Sequence, residues 1–105
     1  MTNSIVKGKD GEREFANFLK DHGYNARRSK QYCGANGDAD VICEELPFHF
    51  EVKRVEKLNL DKAMKQAQND CKEGLIPIVA HRKNGQKWNI TISAENFFRI
   101  YKGEV

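Results

Sequence analysis

A chain of 105 residues, 31% charged and 39% hydrophobic, holds one core around one sheet and is too apolar to stay disordered. The net charge of +3, from 18 Lys and Arg against 15 Asp and Glu, is a mild lean toward polyanionic partners, so the distribution of charge matters more than its sum. Cys33, Cys43 and Cys71 form no CxxC pair and no stretch reaches 18 apolar residues, which disfavours a disulfide framework, a zinc knuckle and a membrane span, and fits a reducing cytoplasm.

Residues 1–105 read as a single domain, with the polar residues 1–9 expected to be loose. A helix is predicted over 10–22, with Asp10 as its N-cap, Gly23 as its stop and Phe15, Ala16, Phe18 and Leu19 as its apolar stripe. Glu12 precedes Phe15 by three residues and Ala16 by four, at the edge of the buried face, while Glu14 is expected to point away. A carboxylate at a core rim needs a partner or a cation.

Strands are predicted at 24–28 and 40–43, joined by a loop over 29–37. After a turn at 44–47, residues 48–53 alternate: Phe48, Phe50 and Val52 face one side, and His49, Glu51 and Lys53 the other. These short connections imply an antiparallel meander. Asn59 is placed to cap a second helix running to about residue 73, with Cys71 on its apolar stripe and Gly74 as its stop. The strand at 76–80 then returns parallel after the crossover helix. Asn84-Gly85 signals a hairpin into a strand over 88–92, and Ser93 caps a short helix carrying Phe97, Phe98 and Ile100. The expected class is α/β, a central mixed sheet of about five strands flanked by helices.

Same-face strand residues lie roughly 7 Å apart, so Glu51 and Lys53 present an acid and an amine together. Alone, this pair reads as a surface salt bridge. With Asp40 on the adjacent strand and Glu12 on the helix, it becomes a set suited to metal-dependent phosphodiester hydrolysis. Hard oxygen donors suit Mg²⁺ or Mn²⁺, usually held by one or two carboxylates. Asp40 and Glu51 are the expected ligands, Glu12 a further one directly or through water, and the Val52 carbonyl another. Lys53 would orient the attacking water or steady the transition state. Asp38 is a second candidate acid; Asp40 is favoured because it opens the apolar strand. Three basic clusters flank the acids: Arg27, Arg28 and Lys30; Lys53 and Arg54 with Lys57; and His81, Arg82 and Lys83. If they converge, they contact DNA phosphates. Trp88 and Tyr32 are expected to pack in the core or an interface.

Asp40 followed by Glu51-Val52-Lys53 resembles the PD-(D/E)XK nuclease core. Gly11-Glu12-Arg13-Glu14 and Arg28-Ser29 further resemble the archaeal-type and phage Holliday junction resolvases, and the likeness spans most of residues 11–92. It implies a restriction-endonuclease-like fold, Mg²⁺-dependent cutting of four-way DNA junctions and a two-fold homodimer, in the host cytosol if phage-encoded. It also implies Glu12, Asp40 and Glu51 as the acids, Lys53 as the catalytic amine, and Arg13 and Arg28 as backbone contacts. A glutamine on the helix after the lysine strand recurs in that superfamily, and Gln66 or Gln68 fills the position. Ala39 stands where the motif has proline. The rival readings are a nicking or restriction-like nuclease of the same fold and a DNA-binding module that cuts nothing.

Overall fold

A computed structural model describes residues 4–29 and 39–105, with side chains from residue 8 onward; Lys30, Tyr32, Cys33 and Asp38 lie outside the described residues. The elements are α1 (Ser4–Asp21), β1 (Arg27–Arg28), β2 (Val41–Ile42), β3 (Phe48–Arg54), α2 (Leu60–Asp70), β4 (Ile76–Arg82), β5 (Asn89–Thr91) and α3 (Ala94–Tyr101). One sheet carries the strands in the order β1-β2-β3-β4-β5. β3 and β4 run parallel, as the α2 crossover requires, and the other neighbours are antiparallel. This is the expected α/β class with a mixed five-stranded sheet.

The alternation of β3 sorts the two faces. Phe50 and Val52 turn toward α1 and pack with Phe15, Ala16, Leu19, Val41 and Ile78. Phe15 anchors this layer, with ring centroids 5.2 Å from Phe50 and 5.0 Å from Trp88. The opposite face is thinner: Ala63 and Ala67 of α2 lie against Val79.

α1 starts at Ser4, not at Asp10. Asp10 therefore sits inside the helix, 3.3 Å from Arg13, instead of capping it. Gly11 is the point at which α1 crosses β3: a Cβ there would stand 2.9 Å from the Arg54 Cβ. Glu14, expected to point away, instead joins the two central strands. The parallel register sets Arg54 beside Arg82 on the α1 face. The Glu14 carboxylate takes Arg54 Nη1 at 3.0 Å and accepts from Arg82 Nε at 3.1 Å, a partner 68 residues away in sequence that helical periodicity does not reveal.

β1 is shorter than predicted, two residues long. α2 is capped as predicted, the Asn59 side chain accepting the Lys62 N–H at 3.1 Å. It ends at Asp70, before residue 73, because Cys71 is already extended and Gly74 closes the next turn at φ +86°. Cys71 is accordingly half-buried rather than a core residue, whereas Cys43 is buried. β4 runs on to Arg82, and Asn84-Gly85 forms its turn, with Gly85 at φ +74° and the Gln86 N–H donating to the Lys83 carbonyl at 3.1 Å. β5 is confined to 89–91, because Trp88 turns onto Phe15 and under the Arg82 guanidinium. No described helix is long and apolar enough to cross a membrane.

The crossing at Gly11 gives an asymmetric prediction. Gly11→Val is expected to destabilise the protein by about 2 kcal/mol through overpacking against β3. Gly8→Ala, where nothing lies within 4 Å, should stabilise it by about 0.5–1 kcal/mol through helix propensity. Urea unfolding of both variants checks this, and shifts of the same sign would contradict the close approach.

Candidate active site

β2 pairs with β3 through Val41 and Phe50 and then departs. Val52 is the next β3 residue whose N–H faces that side, and a buried amide left without an acceptor is costly. Asp40 supplies the acceptor: its Oδ2 takes the Val52 N–H at 2.9 Å. The Asp40 backbone is fixed in turn, its N–H donating to the Phe50 carbonyl at 2.9 Å and its carbonyl accepting from Ser29 at 3.0 Å. The carboxylate is thereby held at the open edge of the central strand.

Glu51 lies beside it and is only 3% exposed. Burial, and then the negative charge of Asp40, push the Glu51 pKa up to about 8, while Lys53 opposes the shift. Asp40 is raised as well, chiefly by burial, against the Val52 N–H and Lys53. Lys53 Nζ stands 3.7 Å from Glu51 Oε2 and donates to Gln66 Oε1 at 3.4 Å. Of the two glutamines, Gln66 is the one that lines the site and accepts from Lys53.

These groups line a cavity of about 310 Å³ that wraps the β3 edge, with Glu12 and Gly8 closing it from α1 and Gln66 from α2. Gly8 was not singled out in the sequence; its one signal is a second glycine three residues before Gly11 inside a helix. Glu12 also has a raised pKa, from burial and then from Asp40, against its bond to Arg28. Arg28 Nε donates to Glu12 Oε1 at 3.1 Å. Among the described residues no three His, Cys, Asp or Glu side chains are gathered tightly enough to hold a metal ion together. The expected three-acid grip is thus a close pair, Asp40 and Glu51, with Glu12 on the same cavity but engaged by an arginine.

The pair fits a divalent cation on its own chemistry. Burial raises the pKa of both carboxyls and the charge of Asp40 raises that of Glu51 further, so ionising both leaves negative charge that a cation would compensate. Hard carboxylate oxygens beside a cavity with room for water are the donor set of Mg²⁺ or Mn²⁺.

The basic clusters divide. Arg54 and Arg82 are both bound to Glu14, and Arg82 also donates to the Gln86 carbonyl at 3.1 Å. His81 hydrogen-bonds Thr91 Oγ1 at 2.8 Å, and burial lowers its pKa. Arg13 pairs with Asp10 on the surface of α1. Arg27, Lys57 and Lys83 are exposed.

No family model and no curated protein matches the chain. Among solved structures it is similar to Hjc of Archaeoglobus fulgidus, a Holliday junction resolvase from an archaeal hyperthermophile. The match has a TM-score of 0.64 at 21% identity, over 82% of this chain and 72% of that one. This chain has the fold of that resolvase. In this restriction-endonuclease-like fold, the Asp40–Glu51 pair occupies the edge that β2 leaves open.

The raised Glu51 pKa makes the cation-free protein sensitive to pH. Its folded pKa of about 8 exceeds the ordinary 4.5, so the folded state keeps a proton that the unfolded state releases. The stability this group contributes is fully present below about 4.5 and is lost as pH rises toward about 8. The depressed His81 pKa acts in the opposite sense, but only below its ordinary 6.5, so the interval from 6.5 to about 8 reports the carboxyls. With a chelator present, the melting temperature should decline across that interval and the decline should flatten in Glu51→Gln. A wild-type protein whose melting temperature is level there would refute the raised Glu51 pKa.

Proposed function

We propose that this protein is a divalent-metal-dependent DNA endonuclease that resolves four-way junctions as a homodimer. The observation that carries the reading is the Asp40–Glu51 carboxyl pair at an open strand edge, Glu51 buried and Asp40 half-buried, with the Lys53 ammonium 3.7 Å from Glu51. The fold shared with a Holliday junction resolvase supports the choice of substrate.

Asp40 and Glu51 would hold Mg²⁺ or Mn²⁺, with the Val52 carbonyl and Glu12 completing the set. When bound, the ion supplies charge neutralisation at the phosphoryl group and lowers the pKa of water. Lys53 is positioned by Glu51 and Gln66 to donate to a non-bridging phosphate oxygen or to the attacking water. Glu51 and Asp40, once deprotonated, orient that water from the opposite side. Gln66 acts by fixing the lysine, which would otherwise sample many rotamers.

DNA contacts fall to Arg13, Arg27, Arg28, Lys30, Lys57 and Lys83 in this reading, with His81 as a neutral donor or acceptor. Arg54 and Arg82, both engaged by the one Glu14 carboxylate, contribute by building the face more than by gripping phosphate. A second cleft of about 450 Å³, lined by Val55, Leu58, His81, Lys83 and Asn89 among others, shares Val55 with the acidic cavity. Together they form a track for a strand running past the cut. Each junction needs two incisions, which two copies of this site deliver symmetrically.

Incubating the protein with labelled four-way junction, linear duplex and single strand, with Mg²⁺ or with chelator, tests the proposal. Junction cutting that requires the cation is expected. Glu51→Ala should lower the cutting rate by about a thousandfold or more while junction binding stays near wild type. Binding that falls as far as cutting, or a wild-type protein that leaves all three substrates intact, would overturn it.

A further inference from the structure

The Glu12–Arg28 pair is oddly placed for a simple surface contact. The two side chains are 22% and 30% exposed, and Glu12 lines the cavity that Asp40 and Glu51 also line. Its carboxylate stands outside any tight cluster with theirs, and Arg28 Nε holds its Oε1 at 3.1 Å. Arg28 sits on β1, a strand of two residues paired with β2, which leads directly into Asp40. One arginine thus links a ligand candidate on α1 to the strand pair that carries Asp40.

We propose that Arg28 is a latch that withholds Glu12 from the Asp40–Glu51 pair until a DNA phosphate claims the guanidinium. This deepens the proposed function and rests on it. A phosphate matches the fork of an arginine at least as well as a carboxylate does. As Arg28 turns to the phosphate, Glu12 loses its partner and is left with uncompensated charge beside two other acids, a position relieved only by a cation at the pair. DNA binding and cation binding are therefore coupled, each tightening the other by the same factor. Without DNA the site is short of one oxygen donor, which suppresses hydrolysis away from substrate.

Mn²⁺ titration calorimetry on the DNA-free protein separates the latch from bare electrostatics. The proteins are wild type, Arg28→Gln, Glu12→Gln and the double variant, each with its melting temperature recorded. Arg28→Gln is expected to tighten Mn²⁺ binding about tenfold when Glu12 is present, and far less in the Glu12→Gln background. Equal tightening in both backgrounds would overturn the latch, since removal of a nearby positive charge would then explain it. An unchanged affinity in Arg28→Gln would overturn the latch alone, whereas a wild-type protein that binds no Mn²⁺ would overturn the proposed function and the latch with it. If Arg28→Gln does not fold, Arg28→Met serves, compared in the same two Glu12 backgrounds and with the same outcomes.

Discussion

The hydrogen bond from the Val52 N–H to Asp40 Oδ2 is the constraint around which the site is arranged. A strand that loses its neighbour midway exposes an amide that water or a side chain must satisfy. Here a carboxylate does so, and its position follows from the backbone: Asp40 is anchored to Phe50 on one side and Ser29 on the other. Glu51, the residue between Phe50 and Val52, is then forced against it. The acidic pair is therefore a product of the sheet's own geometry, and its like-charge repulsion is a local destabilisation that the surrounding core offsets. Sites of this kind are where proteins trade stability for chemistry.

The Gly11 crossing distributes charge around that constraint. Successive helix residues turn by about 100°, so positions flanking the contact point project to opposite sides of the strand beneath. Glu12 falls on the side of β1 and β2, where it meets Arg28 and the field of Asp40. Glu14 falls on the side of β4, where it meets Arg82 and Arg54. A bulkier residue at position 11 would lift the helix and loosen both contacts at once, so a helix-weakening glycine sits where the helix does most of its work.

The strand alternation at 48–53, the Asn59 and Ser93 caps, the Asn84-Gly85 turn and the parallel return after α2 were legible because each is set by residues within one turn or one strand. Asp40 and Glu51 could be named from the same local pattern. What could not be read depends on pairing between distant segments. Glu14 looked solvent-facing until the β3–β4 register placed two arginines under it. Gln66 and Gln68 are separated by which side of α2 meets Lys53, a matter of helix rotation about the Ala63–Ala67 contact. The start of α1 was misread because Asp10 resembles a cap in sequence, although its side chain engages Arg13 one turn on.

Register also decides what the basic clusters are for. In the parallel β3–β4 pair, Lys53 lies opposite His81, and Arg54 opposite Arg82. Alternation sends the first couple to the α2 face and the second to the α1 face. Two arginines side by side on adjacent strands repel, and a fold that buries them partly must supply an anion. Glu14 is that anion, binding both guanidiniums and offsetting one of their two positive charges. On the other face Lys53 stands over two acids that do not both ionise readily, and His81 is held neutral by burial. Residues adjacent in sequence, Lys53 with Arg54 and His81 with Arg82, thus serve opposite faces: Lys53 lines the acidic cavity and His81 bonds Thr91, while Arg54 and Arg82 bind Glu14 of α1. A run of basic residues on a strand is a mixture by construction, and its attraction for a polyanion is carried by those members that the fold has not already neutralised.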